Sequence, residues 1–202
     1  MKKMNFAKKK QNCKKEKKML VSSQRINFIV IGNVQSGKTA LIQRYTTNRF
    51  DQIYTPTIGV DFDSKTYASG LKVQIWDTSG QDKKSVQIWS KSADIAICIF
   101  TSVGATMEWI HELKKFATEN LLIALVLTKK DRVSAMNKTA YQLSKQLNCL
   151  YFEVSALTGM GIENLFERCI ETKLQKHETS LVDNISSSLL PIKEKEKCCD
   201  LL

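Results

Sequence analysis

Residues Gly32-Asn33-Val34-Gln35-Ser36-Gly37-Lys38-Thr39 match the spacing G-x-x-x-x-G-K-[ST]. An apolar, β-rich run, Ile26–Ile31, comes just before them, and the helix-compatible Ala40–Tyr45 comes just after. Strand, glycine-bounded loop and helix in that order form the context in which this spacing has a mechanism. A helix N-terminus offers unpaired N–H groups and the positive end of a dipole, so it suits an anion. Gly32 and Gly37 let the backbone curl around a phosphate. Lys38 is placed to reach the terminal phosphates and the Thr39 hydroxyl to ligate Mg²⁺. Gln35 and Ser36 lie within the cradle. The ligand class implied is a nucleoside triphosphate with magnesium, and the fold must supply a buried strand that feeds this loop.

The chain of 202 residues suffices for one domain with tails, and 43% hydrophobic content supports a packed core. No apolar run approaches the roughly 18 residues of a membrane span, and no secretory leader is seen, so a cytosolic protein is expected. The net charge of +11 is uneven. Residues 1–25 carry nine lysines and Arg25 against Glu16, which is +9. Residues 175–202 carry −1, leaving +3 for 26–174. The Lys-rich arm reads either as a solvated, disordered tail or as a contact for anionic lipid or nucleic acid. The six cysteines, at 13, 98, 149, 169, 198 and 199, show no zinc-ligand spacing. Cys98 and Cys169 fall in apolar patterns and read as core thiols.

Three segments follow: a basic arm (1–25), one domain (26–174) and a polar, flexible tether (175–202). Within the domain a helix is expected from about Gly37 to Thr46. Ile58–Tyr67 and Leu71–Trp76 read as a hairpin about Ala68-Ser69-Gly70. Ala93–Phe100 and Leu121–Leu127 are continuous apolar runs, as in strands buried on both faces. Met107–Ala117 reads as a helix between them. Met136, Ala140, Leu143 and Leu147 recur at helical spacing, Leu150–Val154 is a short last strand, and Ile162, Leu165, Phe166, Cys169 and Ile170 form one apolar stripe on a final helix. The pattern is α/β: a mostly parallel six-stranded sheet with helices on both faces and one antiparallel edge hairpin. Ligands of such sheets bind at the carboxyl ends of the strands.

Four further segments fall at those strand ends or in loops. In Trp76-Asp77-Thr78-Ser79-Gly80-Gln81, the Asp77 carboxylate can hold a magnesium water, Gly80 can offer its N–H to a γ-phosphate, and Gln81 can orient an attacking water. Tyr54–Phe62 is a polar loop entering a strand, and its Thr57 hydroxyl can complete the metal shell. In Thr128-Lys129-Lys130-Asp131, Asp131 can accept from guanine N1 and N2, a donor pair adenine lacks. In Glu153–Leu157, Ser155 and Ala156 can present a backbone N–H to guanine O6. Each alone is weak; all in one order on one sheet edge are specific.

This set resembles the small GTPase superfamily, and Gly59-Val60-Asp61-Phe62, Trp76-Asp77 and Cys198-Cys199 make it similar to a Rab. The resemblance spans about 26–174 and the extreme C-terminus, not the basic arm. It implies the Ras-like P-loop NTPase fold, with Lys38 on phosphate, and Thr39, Thr57 and Asp77 about Mg²⁺. Thr57 then marks a first switch, and Gly80 and Gln81 a second. Lys129 and Asp131 would select guanine, with Thr128, Ser155 and Ala156 beside them. Phe50 matches an aromatic that packs near the base, or else is a core phenylalanine at a helix end. The implied reaction is γ-phosphoryl transfer from GTP to water, slow alone, with Gln81 and Lys38 as the catalytic pair; an arginine from a partner typically adds about 10³–10⁵ in rate. The implied partners are exchange factors, GTPase-activating proteins, a GDP-dissociation inhibitor and effectors, with the chain a monomer on the cytoplasmic face of intracellular membranes and in a cytosolic pool.

Several residues depart from the family pattern. Val34 replaces a small residue, and its branch is expected to stand where Gln81 and a partner arginine would act. The segment Asp82–Lys91 lacks the usual arginine–phenylalanine and double-tyrosine features and looks about two residues short. Phe100–Trp109 also looks short, with Thr101 near the place of the usual aspartate. Thr128 stands for Asn, and Leu157 for a common Lys. At the C-terminus, Cys199-Asp200-Leu201-Leu202 partly fits a prenylation signal, and Cys198 beside it suggests two lipids. The competing readings are a GTP-binding scaffold that hardly hydrolyses, a nucleic-acid binder using the basic arm, and a P-loop kinase. The domain's small charge opposes the nucleic-acid reading, and the guanine-selecting residues oppose the kinase.

Overall fold

The computed structural model describes residues 24–188, apart from 54, 82 and 133–135, and describes side chains as far as Lys176. The strands are β1 (Arg25–Ile31), β2 (Val60–Thr66), β3 (Lys72–Thr78), β4 (Ile95–Ile99), β5 (Leu122–Leu127) and β6 (Leu150–Glu153). The helices are α1 (Lys38–Thr47), α2 (Lys83–Trp89), α3 (Val103–Phe116), α4 (Met136–Gln146) and α5 (Ile162–Ser188), with a 3₁₀ turn at Ser90–Ser92. The sheet order is β2-β3-β1-β4-β5-β6. β2 pairs antiparallel with β3, Val60 opposite Thr78, and every other pairing is parallel. This is the expected sheet.

β1 sits in the middle because it is apolar on both faces. Ile26, Phe28 and Val30 enter one core, packed beneath Leu41, Ile42 and Tyr45 of α1 and Ile162, Phe166 and Cys169 of α5. Ile29 and Ile31 enter the other, with Val86 of α2, Trp109, Ile110 and Leu113 of α3, and Ala140 and Leu143 of α4. Phe166 carries the first core: it stacks on Tyr45 at 3.6 Å between ring centroids and tilts against Phe28 at 5.2 Å. Cys98 and Cys169 are fully buried free thiols, and burial pushes both pKa values up, that of Cys169 to about 12.

Three helices differ from expectation. α2, Lys83–Trp89, forms where no helix was expected. α3 starts at Val103 rather than Met107, because the Ser102 hydroxyl caps it, accepting from the Ala105 N–H at 3.3 Å. The final helix runs past 175 to Ser188, where the flexible tether was expected. No glycine or proline falls between Gly161 and Pro191, so nothing in the sequence breaks the helix there. Among the described residues no helix is long and apolar enough to cross a membrane. Residues 1–23 of the basic arm, and Cys198 and Cys199, lie outside the described residues.

Candidate functional site

β1, β3, β4 and β5 deliver their carboxyl ends to one side of the sheet, and every candidate segment sits there or in a loop beside it. The chain leaves β1 through Gly32 at φ 144°, where an added Cβ would lie 3.0 Å from the Ile99 Cβ. Only a residue without a side chain fits that approach to β4. Gly37 (φ 97°) turns the loop into α1. Lys38 is 6% exposed, and its ammonium donates back across the loop to the carbonyls of Gly32 and Asn33, both at 3.0 Å. Burial lowers its pKa, and the Asp77 carboxylate opposes that shift. The Trp109 indole N–H of α3 holds Asn33, donating to its Oδ1 at 2.7 Å.

Thr39, in the first turn of α1, meets the other two expected metal ligands. Its hydroxyl donates to Asp77 Oδ2 at 2.5 Å and lies 2.9 Å from the Thr57 hydroxyl, which itself donates to Asp77 Oδ2 at 3.3 Å. Asp77 is 3% exposed, and its second oxygen, Oδ1, is buried with no hydrogen-bond partner. Desolvation raises the Asp77 pKa, while Thr39, Lys38 and Thr57 work against the rise. A buried carboxylate oxygen without a donor is costly. Oxygen donors on one carboxylate and two hydroxyls are the chemistry that a small hard cation takes. The residues present therefore fit Mg²⁺.

Gly80 rests on the phosphate loop: a Cβ there would fall 2.3 Å from the Val34 nitrogen and 2.5 Å from the Asn33 carbonyl carbon. Gln81 is exposed, its backbone N–H donating to Ser79 Oγ at 3.3 Å. Val34 is more than a third exposed on the rim.

A second cluster joins the loop to β5 and β6. The Thr128 hydroxyl donates to the Ser36 carbonyl at 2.7 Å, bridging β5 to the phosphate loop. Lys129, at φ 59°, donates from Nζ to the Gln35 carbonyl at 2.8 Å. The buried Ser155 hydroxyl donates to Asp131 Oδ1 at 2.5 Å, so the two expected base-reading segments are hydrogen-bonded to each other. Lys130 pairs with Glu153. Ala156 stands in a turn after Ser155. Phe50 is half-buried beyond the end of α1 and belongs to neither core, which removes its alternative role as a core phenylalanine.

Sequence reasoning missed three features. Arg44 bonds to the Ala156 and Leu157 carbonyls, Trp109 bonds to Asn33, and Phe62, Trp76 and Trp89 form an aromatic row, Phe62 tilted against Trp76 at 4.6 Å between centroids and Trp76 stacked on Trp89 at 3.6 Å. Only the row left a trace in the sequence: Phe62 and Trp76 face each other across the β2–β3 register.

The sequence matches the Ras family over residues 27–175. It is 33% identical over 171 residues to the Ras-related protein Rab-4 of Dictyostelium discoideum, covering 78% of this chain and 83% of that protein. It is 29% identical over 219 aligned positions to Rab-34 of Mus musculus, covering 93% and 85%, and 31% identical over 169 residues to Rab-4A of Homo sapiens, covering 77% and 78%.

Proposed function

The chain belongs to the Ras family as a divergent, Rab-like GTPase, and on that premise we propose that it is a guanine-nucleotide switch of intracellular membrane traffic. The observation that carries the reading is the convergence of the Thr39 and Thr57 hydroxyls on Asp77 Oδ2, beside a buried Asp77 Oδ1 that has no partner. Thr57 and Asp77, 18 and 38 positions beyond Thr39 along the chain, meet it there, where a nucleotide phosphate held by Lys38 and the loop N–H groups would lie. Thr39, Thr57 and Asp77 would hold Mg²⁺, which when bound neutralises charge on the phosphate oxygens.

In this reading Lys38 and the backbone N–H groups of the phosphate loop stabilise charge that spreads over the transferred phosphoryl oxygens. Gln81 orients the water. Asp131 reads guanine N1 and N2, with the Ala156 N–H on O6 and the Lys129 stem and Phe50 along the base. Thr57 and Gly80 are the two points where a γ-phosphate would hold the switch loops, to be released on hydrolysis. Exchange factors, GTPase-activating proteins, a GDP-dissociation inhibitor and effectors would act on those loops. Cys198 and Cys199 would carry prenyl groups, and the +9 arm would add attraction to anionic lipid, roughly 1 kcal/mol per lysine near the surface.

A scaffold that binds GTP and hardly turns it over is the second reading. It is favoured by Val34, whose side chain stands on the rim beside the seat of Gly80.

The deciding experiment is release and identification of the nucleotide that co-purifies with the full chain, followed by competition with GDP and ADP in magnesium. Bound GDP or GTP and a strong preference for guanine are expected. Equal affinity for ADP would overturn the proposal. GTP as the main occupant, with hydrolysis unmoved by cell extract, would select the scaffold.

A further inference from the structure

Arg44 lies on the same helix as the two residues proposed for phosphate and metal, six positions beyond Lys38, or about 9 Å along the axis. Its guanidinium points at the other end of the proposed nucleotide site. Nε donates to the Ala156 carbonyl at 2.6 Å and Nη2 to the Leu157 carbonyl at 2.7 Å, across 112 and 113 positions of chain. Nη1 donates to the Asn48 carbonyl at 2.9 Å. The planar fork thus binds two successive carbonyls of one turn and is itself braced by the C-cap of α1, whose Asn48 N–H returns to the Arg44 carbonyl at 3.1 Å. Charge-assisted bonds of this kind are roughly twice as strong as neutral ones, and no other side chain offers the same rigid set of donors.

The turn has little else to hold its outer edge. Leu157 and Met160 are nearly half exposed. Its inner edge is fixed by Ser155, which bonds to Asp131 and accepts from the Thr158 N–H at 3.2 Å. The Ser155 carbonyl accepts from the Gly159 N–H at 2.8 Å, which sets the peptide plane carrying the Ala156 N–H. The next plane, carrying the Ala156 carbonyl, is set by Arg44. With both planes fixed, the backbone angles of Ala156 are fixed too.

We propose that Arg44 is a positioning residue for base recognition: it clamps the Ala156–Leu157 turn to the phosphate-binding helix, so that the base and phosphate subsites form one rigid unit. This rests on the guanine reading above. The proposal assigns Arg44 no contact with nucleotide. Its effect passes through the Ala156 N–H, and therefore depends on which base is bound.

The test compares the full chain with Arg44→Met and Arg44→Lys. Affinities for GDP and ADP are measured in magnesium by competition against a fluorescent guanosine diphosphate, with thermal melting recorded for each protein. Arg44→Met should lose about tenfold or more in GDP affinity while ADP affinity stays within about twofold, so the preference narrows. Arg44→Lys, which keeps a charge and some donors, should fall between. Equal losses for both nucleotides, tracking the melting temperature, would mean that Arg44 only supports the fold and would overturn the inference, as would an unchanged preference. Should Arg44→Met not fold, the Arg44→Lys ratio decides in the same way. A wild-type chain with no preference for GDP would instead sink the guanine reading itself, so the two failures are distinguishable.

Discussion

The indole N–H of Trp109 donates to Asn33 Oδ1 at 2.7 Å, joining the middle of α3 to the second residue of the phosphate loop. Asn33 is a meeting point: its carbonyl accepts the Lys38 ammonium, and Gly80 rests against its backbone. α3 also receives the α2 side chains, with Lys83 on Glu108 at 3.3 Å and Gln87 on Glu112 at 2.9 Å. The loop that would cradle phosphate is therefore braced by the same helix that holds α2, which follows the proposed second switch. Trp109→Phe keeps an aromatic ring but leaves the Asn33 oxygen without its donor. We expect a loss of about 1–3 kcal/mol in denaturant unfolding. In a double-mutant cycle with Asn33→Ala the coupling should be about 0.5–1.5 kcal/mol, and additivity of the two variants would show that the bond contributes nothing.

Gly80→Ala tests the seating of the second switch. The new methyl would meet the Val34 nitrogen at 2.3 Å and the Asn33 carbonyl oxygen at 2.8 Å, both backbone atoms that cannot swing aside. The loop after β3 must then lift off the phosphate loop. Because Gly80 is proposed to hold a γ-phosphate, affinity for a non-hydrolysable GTP analogue should fall about tenfold or more while GDP affinity stays nearly constant. Titrating both nucleotides checks this; parallel losses would mean that Gly80 does not discriminate between them.

The parts of this molecule that could be read in advance share a physical cause. Ile26–Ile31 is a central strand because it is apolar on both faces, and that is written in six consecutive residues. The loop Gly32–Thr39 is legible because its geometry needs glycine at fixed places. Thr39, Thr57 and Asp77 could be grouped because each lies near the end of an element, or in the loop leading into one, on the same sheet edge. Arg44 and Trp109 could not. Their partners are 76 to 113 positions away, and a helical arginine or tryptophan has the same periodicity whether it faces a core, a loop or water. The start of α3 was hidden by Gly104 in its first turn. The length of α5 was hidden by polar composition, which resembles that of a loop even where no residue breaks a helix.

Phe166→Ala measures how much of the stability lies in the core beneath α1. The ring is fully buried, stacked on Tyr45 and tilted against Phe28. Its removal leaves a cavity between α5 and the sheet, and we expect a loss of about 3–5 kcal/mol in denaturant unfolding. A value under about 1 kcal/mol would mean that the two helices close over the gap.

Val34→Gly addresses turnover. The valine branch is exposed beside the seat of Gly80, where the family pattern keeps a small residue. If it blocks a partner arginine, the glycine variant should gain at least about tenfold in partner-stimulated single-turnover hydrolysis, a small part of the 10³–10⁵ that such an arginine supplies. Unstimulated turnover should change less, since no arginine enters there. Stimulated rates that match between the wild type and Val34→Gly would show that Val34 does not hinder a partner arginine.

Glu153 links the two base-side segments to pH. Its carboxylate pairs with Lys130 and accepts from the Tyr151 hydroxyl at 2.8 Å. The Lys130 bond is the main reason its pKa is held below the usual 4.5. A carboxyl group depressed in the folded state stabilises the fold above its unfolded pKa, and that contribution is lost as pH falls through the folded value. Both partners are partly exposed, so the contribution should be under about 1 kcal/mol. Denaturant midpoints of the wild type should therefore drop more between about pH 6 and roughly pH 3.5 than those of Glu153→Gln, which has no proton to gain. Added salt should shrink the difference, because screening weakens an exposed pair. Identical pH profiles would mean that the Lys130 pair is too well solvated to hold the β5 and β6 loops together.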